Sequence, residues 1–350
     1  MTTRLIASTE ESTGKTAVSL ALATIAADRG DTVGYMKPKG TRLQSNVGKT
    51  LDTDPLLARD VLGLDAETHE LEPIVYSPTF VDGVVRGREN AADLRERVRE
   101  AFEAISEDTS FVAVEGADTI STGAAVDLTD PEVADLLDAS VVLVSRFDES
   151  RDVDAVLDAA DRFGERLDGI VFNAVPDAQY DRVDGEVASF LESKGVPVLG
   201  SIPRVQDLAG VSVADLADEL GARMLTDADT SAYVERFVVG AMSGEAALSH
   251  FRRTKDAAVV TGGDRTDVQT AALDAPGVNC LVLTGGHEPP GAVLGKAEER
   301  GVPVLVVTTD TLTTIERGEE LVRGGRVRDA ETVKTMRDLL ERHTDLDALL

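Results

Sequence analysis

Short apolar runs recur along this chain, and each is followed by a small or polar turn and then by a segment of helical periodicity. Leu5–Ala7, Thr32–Met36, Phe111–Val114, Val141–Val144, Gly169–Asn173 and Val196–Leu199 read as buried strands. Between them Lys15–Arg29, Leu56–Leu62, Ala91–Ile105 and Val153–Arg166 place apolar residues at helical spacing. Strands alternating with helices build a mostly parallel sheet covered on both faces. Residues 70–88 break the pattern with Pro73, Pro78, Gly83 and Gly87, which predicts a loop or lid near a site. Polar Asp227–Ser231 marks a transition. After it, strands at Ala257–Thr261, Asn279–Thr284 and Pro303–Thr308 alternate with helices at Val268–Leu273, Val293–Arg300 and Thr311–Leu321. The expected organisation is α/β throughout, with a larger domain over 1–226 and a smaller α/β domain over 227–350.

The first strand runs into Ser8-Thr9-Glu10-Glu11-Ser12-Thr13-Gly14-Lys15-Thr16, and a helix begins at once. Strand, loop and helix in that order make a phosphate-cradling loop, because amides of the loop and first helical turn converge on an anion that the helix dipole favours. This predicts a P-loop NTPase-like fold. Thr13, Gly14, Lys15, Thr16 and Ala17 are the candidate nucleotide-binding residues, with Lys15 on the terminal phosphates and the Thr16 hydroxyl on Mg²⁺. In the standard spacing the first glycine would fall at Thr9; Ser8 stands one residue earlier, which makes a loop one residue longer. An ordinary helix cap at Ser12 or Thr13 is the competing explanation.

Other candidates lie at strand ends, the edge where open α/β sheets collect ligands. Pro38 stops the second strand just beyond Lys37, so that lysine can reach the same phosphates, hold an anionic substrate or simply be solvated. Asp54 precedes Pro55, and its carboxylate either caps the next helix or binds metal. Glu115 ends an apolar strand before Gly116, where an acid orients Mg²⁺ or its waters. Asn173 ends another strand and reads either a purine edge or a turn.

Charge narrows the partners. The 350 residues carry 64 acidic against 35 basic side chains, a formal charge of −29. Such a surface repels nucleic-acid phosphates and anionic lipid. With 42% apolar residues the chain is folded, and its acidity suits high salt, where screening relieves self-repulsion. It is expected to lose its circular dichroism signal on dialysis to low ionic strength. Cys280, the lone cysteine, lies in an apolar strand and reads as a buried structural thiol. The four histidines lack metal-ligand spacing. No segment has the length and continuous apolarity of a membrane span, and no secretory signal is visible, so a cytoplasmic location is expected.

Together these segments resemble a known family. Residues 1 to about 220 are similar to the dethiobiotin-synthetase-like domain at the N-terminus of long phosphotransacetylases. The resemblance rests on Ala7-Ser8-Thr9-Glu10, Gly14-Lys15-Thr16, Gly34-Tyr35-Met36-Lys37-Pro38, Asp52-Thr53-Asp54, Val114-Glu115-Gly116-Ala117, Phe172-Asn173 and Val198–Pro203. From about 238 onward the chain resembles the DRTGG domain through Thr261-Gly262-Gly263-Asp264-Arg265-Thr266 and Leu283-Thr284-Gly285-Gly286. The resemblance implies ATP and Mg²⁺ as cofactors. Thr16, Asp54 and Glu115 would be metal ligands, Lys15 and Lys37 would be catalytic, and Asn173 and Pro203 would lie on the nucleotide. It further implies a haloarchaeal-type phosphotransacetylase-family protein without the acyltransferase segment, so phosphotransacetylase activity is not expected. The function that follows is an ATP- and Mg²⁺-binding regulatory protein tied to acetyl-CoA or acetate metabolism. A protein partner in that metabolism is expected, and the DRTGG domain would serve homo-oligomerisation or ligand sensing. The alternative is an ATP-dependent ligase like dethiobiotin synthetase, acting on a carboxylate or carbamate. Partition-type ATPases share the fold but carry an extra lysine early in the loop, where this chain has Thr9-Glu10-Glu11.

Overall fold

Six of the apolar runs become parallel strands: β1 (Thr2–Ser8), β2 (Val33–Met36), β3 (Phe111–Glu115), β4 (Ser140–Ser145), β5 (Leu167–Val175) and β6 (Val198–Pro203). They are seen in a computed structural model, which describes residues 1–41, 43–46, 49–205, 208, 210–323 and 330–350, with side chains left out at 43–46, 49–51, 320 and 323. The sheet order is β6-β5-β4-β1-β3-β2, and every pairing is parallel. Ile6 stands opposite Glu115 and Ser8 opposite Val144, so the strand ends share one edge. The chain goes from β1 out to β2, returns to β3, and only then lays β4 on the other side of β1. That reversal opens a crevice at the carboxyl end of β1, which is where the loop 9–14 lies.

Helix α1 (Lys15–Asp28) follows the loop and is buried on nearly every side, from Ala17 and Val18 through Leu22 to Ala26. A helix apolar all round needs cover on both faces. The sheet supplies one. The helix Ala330–His343 supplies the other, packing on α1 with an Arg337–Asp28 ion pair. Compact unit one is therefore Met1–Arg204 plus Val327–Leu350, and unit two is Val205–Arg326. This differs from the expected division at 226/227: Val213–Glu219 and Arg223–Met224 fall in the second unit, and the chain's last helices return to the first.

Two local expectations are corrected. Asp54 is not the cap of the next helix: α2 spans Thr53–Leu62, and the Asp52 carboxylate accepts from the Asp54 N–H. An acid two residues further upstream met the capping geometry, leaving Asp54 in the first turn. Residues 70–88 are not an irregular lid either. They include the end of helix Thr68–Leu71, strand Ile74–Val75 paired with Lys39–Gly40, and helix Pro78–Val85 capped by Ser77. The prolines there sit in helix starts and turns, where their fixed φ suits them.

In the second unit β7 (Arg223–Met224), β8 (Arg236–Val239), β9 (Ala257–Gly262), β10 (Val278–Thr284) and β11 (Val304–Val306) form a sheet of order β7-β11-β10-β9-β8. Only β7 runs antiparallel. Alternate residues feed two cores: Val259, Leu281 and Leu283 pack under three helices, while Ala258, Val260 and Val282 pack on the opposite face. Cys280 is fully buried, and burial pushes its thiol pKa up, as the sequence led us to expect of a structural cysteine. The two glycine pairs meet at the carboxyl edge of β9 and β10, for a Cβ on Gly263 would run into the His287 carbonyl.

Candidate functional site

The loop between β1 and α1 turns through left-handed conformations at Ser12 (φ 57°) and Gly14 (φ 90°). Glycine is required at the second of these. A Cβ there would collide with the Asn173 amide, which donates to the Thr13 carbonyl at 2.7 Å. The first intrahelical bond runs from the Val18 N–H to the Gly14 carbonyl, so the amides of Lys15, Thr16 and Ala17 precede the ladder. The Thr13 hydroxyl is buried without a protein partner. That buried hydroxyl and this run of amides fit an anion held in the loop.

Lys15 is 8% exposed, and its ammonium donates to the Ser8 hydroxyl at 2.6 Å and, more weakly, to the Asp118 carbonyl at 3.4 Å. Burial lowers its pKa, with Glu115 and Asp130 pulling the other way. Asp118 belongs to the segment after β3, which is stitched over the loop. The Ile120 N–H donates to the Ser8 carbonyl at 3.1 Å and the Thr41 hydroxyl to Asp118 at 2.8 Å. Lys39 pins the far end of this segment, reaching the Thr122 and Leu128 carbonyls and Asp130 in an almost solvent-free ion pair.

Beside the loop lies a buried cluster around Lys37, which is 2% exposed. Its ammonium pairs with Asp54, with Asp52 at 2.9 Å and with Glu115 at 3.3 Å. Burial alone would push Lys37 down, but these carboxylates outweigh it and hold the pKa well above the ordinary lysine value. Glu115 is shared further: the Thr16 hydroxyl donates to Oε1 at 2.8 Å and the Tyr35 phenol to Oε2 at 2.7 Å. Burial raises Glu115 against the opposing pull of Lys37, and burial next to Glu115 raises Tyr35. Glu72 completes the wall. It accepts from the Asp52 N–H at 3.2 Å, and burial pushes its pKa up to about 7. Gly40 admits it, since a Cβ there would strike the Glu72 carboxylate.

The structure thus gathers Lys15, Thr16, Lys37, Asp54 and Glu115, which the sequence had proposed from four separate segments. Asn173 is also here, but in a different role. Its Nδ2 holds the loop and its Oδ1 accepts the Ala174 N–H at 2.9 Å, so both polar atoms serve the backbone rather than an exposed edge that could meet a base. Pro203 ends β6, three strands from β1, and is outside the cluster. Sequence reasoning missed Tyr35, Asp52, Glu72 and Asp130. A signal existed for the first, because residues two apart on a strand share a face, and Tyr35 precedes Lys37 by two.

Oxygen donors from Thr16, Asp54 and Glu115 are the right chemistry for Mg²⁺. Among the described residues no group of three or more His, Cys, Asp and Glu side chains is arranged to hold a metal by itself. The cation inside this cluster is the Lys37 ammonium.

A family of AAA domains matches residues 2–212, more than half of the chain. The chain belongs to the AAA_26 family. Residues 215–321 match the DRTGG domain, so the dethiobiotin-synthetase-like phosphate-loop domain followed by a DRTGG domain is what the chain contains. A phosphate acetyltransferase from Pseudomonas putida is 27% identical over 99% of this chain and 51% of its own length. The chain therefore spans about half the length of that relative. The ATP-dependent dethiobiotin synthetase of Methanococcus vannielii is 27% identical over 58% of this chain and 93% of its own length. Among solved structures, the CBS and DRTGG domains of the Clostridium perfringens pyrophosphatase regulatory region, complexed with the activator diadenosine tetraphosphate, cover 41% of this chain and 70% of that one. They do so at 18% identity and a TM-score of 0.29, too distant a likeness to carry an argument. No helix among the described residues is long and apolar enough to cross a membrane.

Proposed function

We propose that the first unit binds ATP with Mg²⁺ and that the chain is a nucleotide-binding regulatory protein linked to acetyl-CoA or acetate metabolism. In this reading the DRTGG unit oligomerises or senses a ligand. The observation that carries it is the convergence of Lys15, Thr16, Lys37, Asp54 and Glu115 at the crevice beside a glycine-dependent loop. Lys15 leaves the Ser8 hydroxyl for a phosphate oxygen, and the Thr16 hydroxyl, Asp54 and Glu115 hold the metal. When bound, Mg²⁺ neutralises phosphate charge. The link to acetyl-CoA metabolism is supported by the phosphate acetyltransferase relative. Calorimetric titration with ATP, with and without Mg²⁺ in molar salt, tests the reading. Heat and thermal protection are expected for the wild type and not for Lys15→Ala, and their absence in the wild type sinks it. A pull-down with and without ATP looks for the protein partner.

A second reading is favoured by one finding: the relative whose length is almost wholly covered is a ligase. An ATP-dependent ligase would phosphorylate a carboxylate or carbamate, with the Lys15 and Lys37 ammonium groups countering charge on the transferred phosphoryl group. Substrate-stimulated ADP release that Lys37→Ala abolishes would favour it over the regulator.

A further inference from the structure

Glu115 is held at both of its oxygens, and by different kinds of group. Oε1 carries the Thr16 hydroxyl at 2.8 Å and the Lys37 ammonium at 3.3 Å, while Oε2 carries the Tyr35 phenol at 2.7 Å. Tyr35 reaches that oxygen along the sheet. In the parallel register of β2 and β3 it stands opposite Ala113, two residues before Glu115. The two side chains therefore share a face, and the long phenol ring spans the offset to the strand end. Tyr35 is 0% exposed and Glu115 2%, so bulk water does not reach this bond.

Two pulls act on the carboxylate. The Thr16 hydroxyl keeps Oε1 beside the phosphate loop. Lys37 touches the same oxygen, and its ammonium would gain a second charge-assisted bond by taking Oε2 as well. The phenol stands in the way. It fills Oε2 with an uncharged donor, and a buried carboxylate oxygen stripped of its donor is costly. A phenylalanine would fill the same space, so packing accounts for the ring and not for the hydroxyl.

We propose that Tyr35 is a positioning residue for nucleotide-bound Mg²⁺: by tying down Oε2, its phenol keeps Glu115 Oε1 beside the Thr16 hydroxyl, where the metal is received, and out of a two-oxygen pairing with Lys37. Tyr35 acts through Glu115 and not by touching the metal. Partners that hold a metal-binding side chain from behind set metal affinity in this indirect way. This inference rests on the Mg²⁺–ATP reading above and gives a part to a residue that reading leaves out.

The test is a Mg²⁺ titration of fluorescent ATP-analogue binding to the full chain, wild type against Tyr35→Phe, with a parallel titration in EDTA. Phenylalanine keeps the ring and removes only the hydroxyl. The Mg²⁺ concentration at half-saturation should rise about tenfold in the variant. Metal-free affinity for the analogue should stay within about twofold, because no phosphate contact is lost. A second measurement needs no variant. Of the chain's four tyrosines Tyr35 is the buried one, so after labelling with meta-fluorotyrosine its fluorine resonance is the one shielded from solvent. That resonance should shift when Mg²⁺ joins the nucleotide complex, and should Tyr35→Phe fail to fold, this measurement decides. An unchanged half-saturation in Tyr35→Phe overturns the inference alone. So does metal-free affinity that falls by as much as the metal dependence, the mark of a packing role, or a buried resonance indifferent to Mg²⁺. Wild-type protein that binds no analogue, or binds it no better with Mg²⁺, overturns the Mg²⁺–ATP reading and the inference with it.

Discussion

Both units carry a mostly parallel sheet whose strands deliver loops to their carboxyl edges, yet the two edges differ in kind. In the first unit the edge is charged and dry, with Lys15, Lys37, Asp52, Asp54 and Glu115 all buried. In the second it is made of turns. Gly285 and Gly286 adopt left-handed backbones (φ +78° and +71°), Thr284 bonds Thr311 at 2.9 Å, and Asp264, His287 and Asp310 lie exposed. One architecture therefore serves two purposes, and what separates them is which residues end the strands. Burying a charge is costly unless partners surround it, and only the first unit supplies those partners among the described residues.

The sharpest break in this comparison should come from Lys39→Met. It leaves Asp130 buried with its ion-pair partner gone, and a loss of about 3–5 kcal/mol is expected in chemical denaturation. Next in size, Lys15→Ala should weaken ATP binding by about 100-fold, roughly 2.7 kcal/mol, by calorimetry, while thermal stability changes little. Glu72→Gln probes the electrostatics of the dry edge. The unfolded chain releases this proton near the ordinary glutamate value of 4.5, the folded protein not until about 7. The stabilising contribution of the protonated form is therefore present below the lower value and lost as pH rises through the upper one. The variant should match the wild type in melts at pH 4 and exceed it by about 1–3 kcal/mol at pH 8. The smallest effect belongs to the second edge. Gly285→Ala should cost about 1 kcal/mol for its left-handed backbone and leave the ATP titration unaltered. A change in ATP affinity there would erase the distinction between the edges.

The strands and most helices were legible because apolar runs and helical spacing are local signals. Gly14-Lys15-Thr16 and Glu115 were legible because the motif and the strand end both lie within a few residues. The sequence misjudged what depends on the exact backbone geometry or on distant partners. Asp52 rather than Asp54 caps α2, because capping is decided by backbone geometry at one peptide. Residues 70–88 are ordered because Ile74–Val75 pairs with Lys39–Gly40, thirty-five residues upstream. Composition marks the polarity change near 226, whereas contacts divide the chain between Arg204 and Val205 and again between Arg326 and Val327. Asn173 stood at a strand end as expected, but only the folded loop shows its amide holding the Thr13 carbonyl.

By itself, then, the sequence determined the alternation of strands and helices, the phosphate loop and the identity of most charged groups at the first edge. Those follow from spacing along one stretch of chain. The tertiary structure alone decided that the charges of Lys37, Asp52, Asp54 and Glu115 meet in one dry cluster, that Tyr35 and Glu72 wall it, and that the last helices cover α1. Pairing and burial are set by distances between segments far apart in the chain, which no local pattern records.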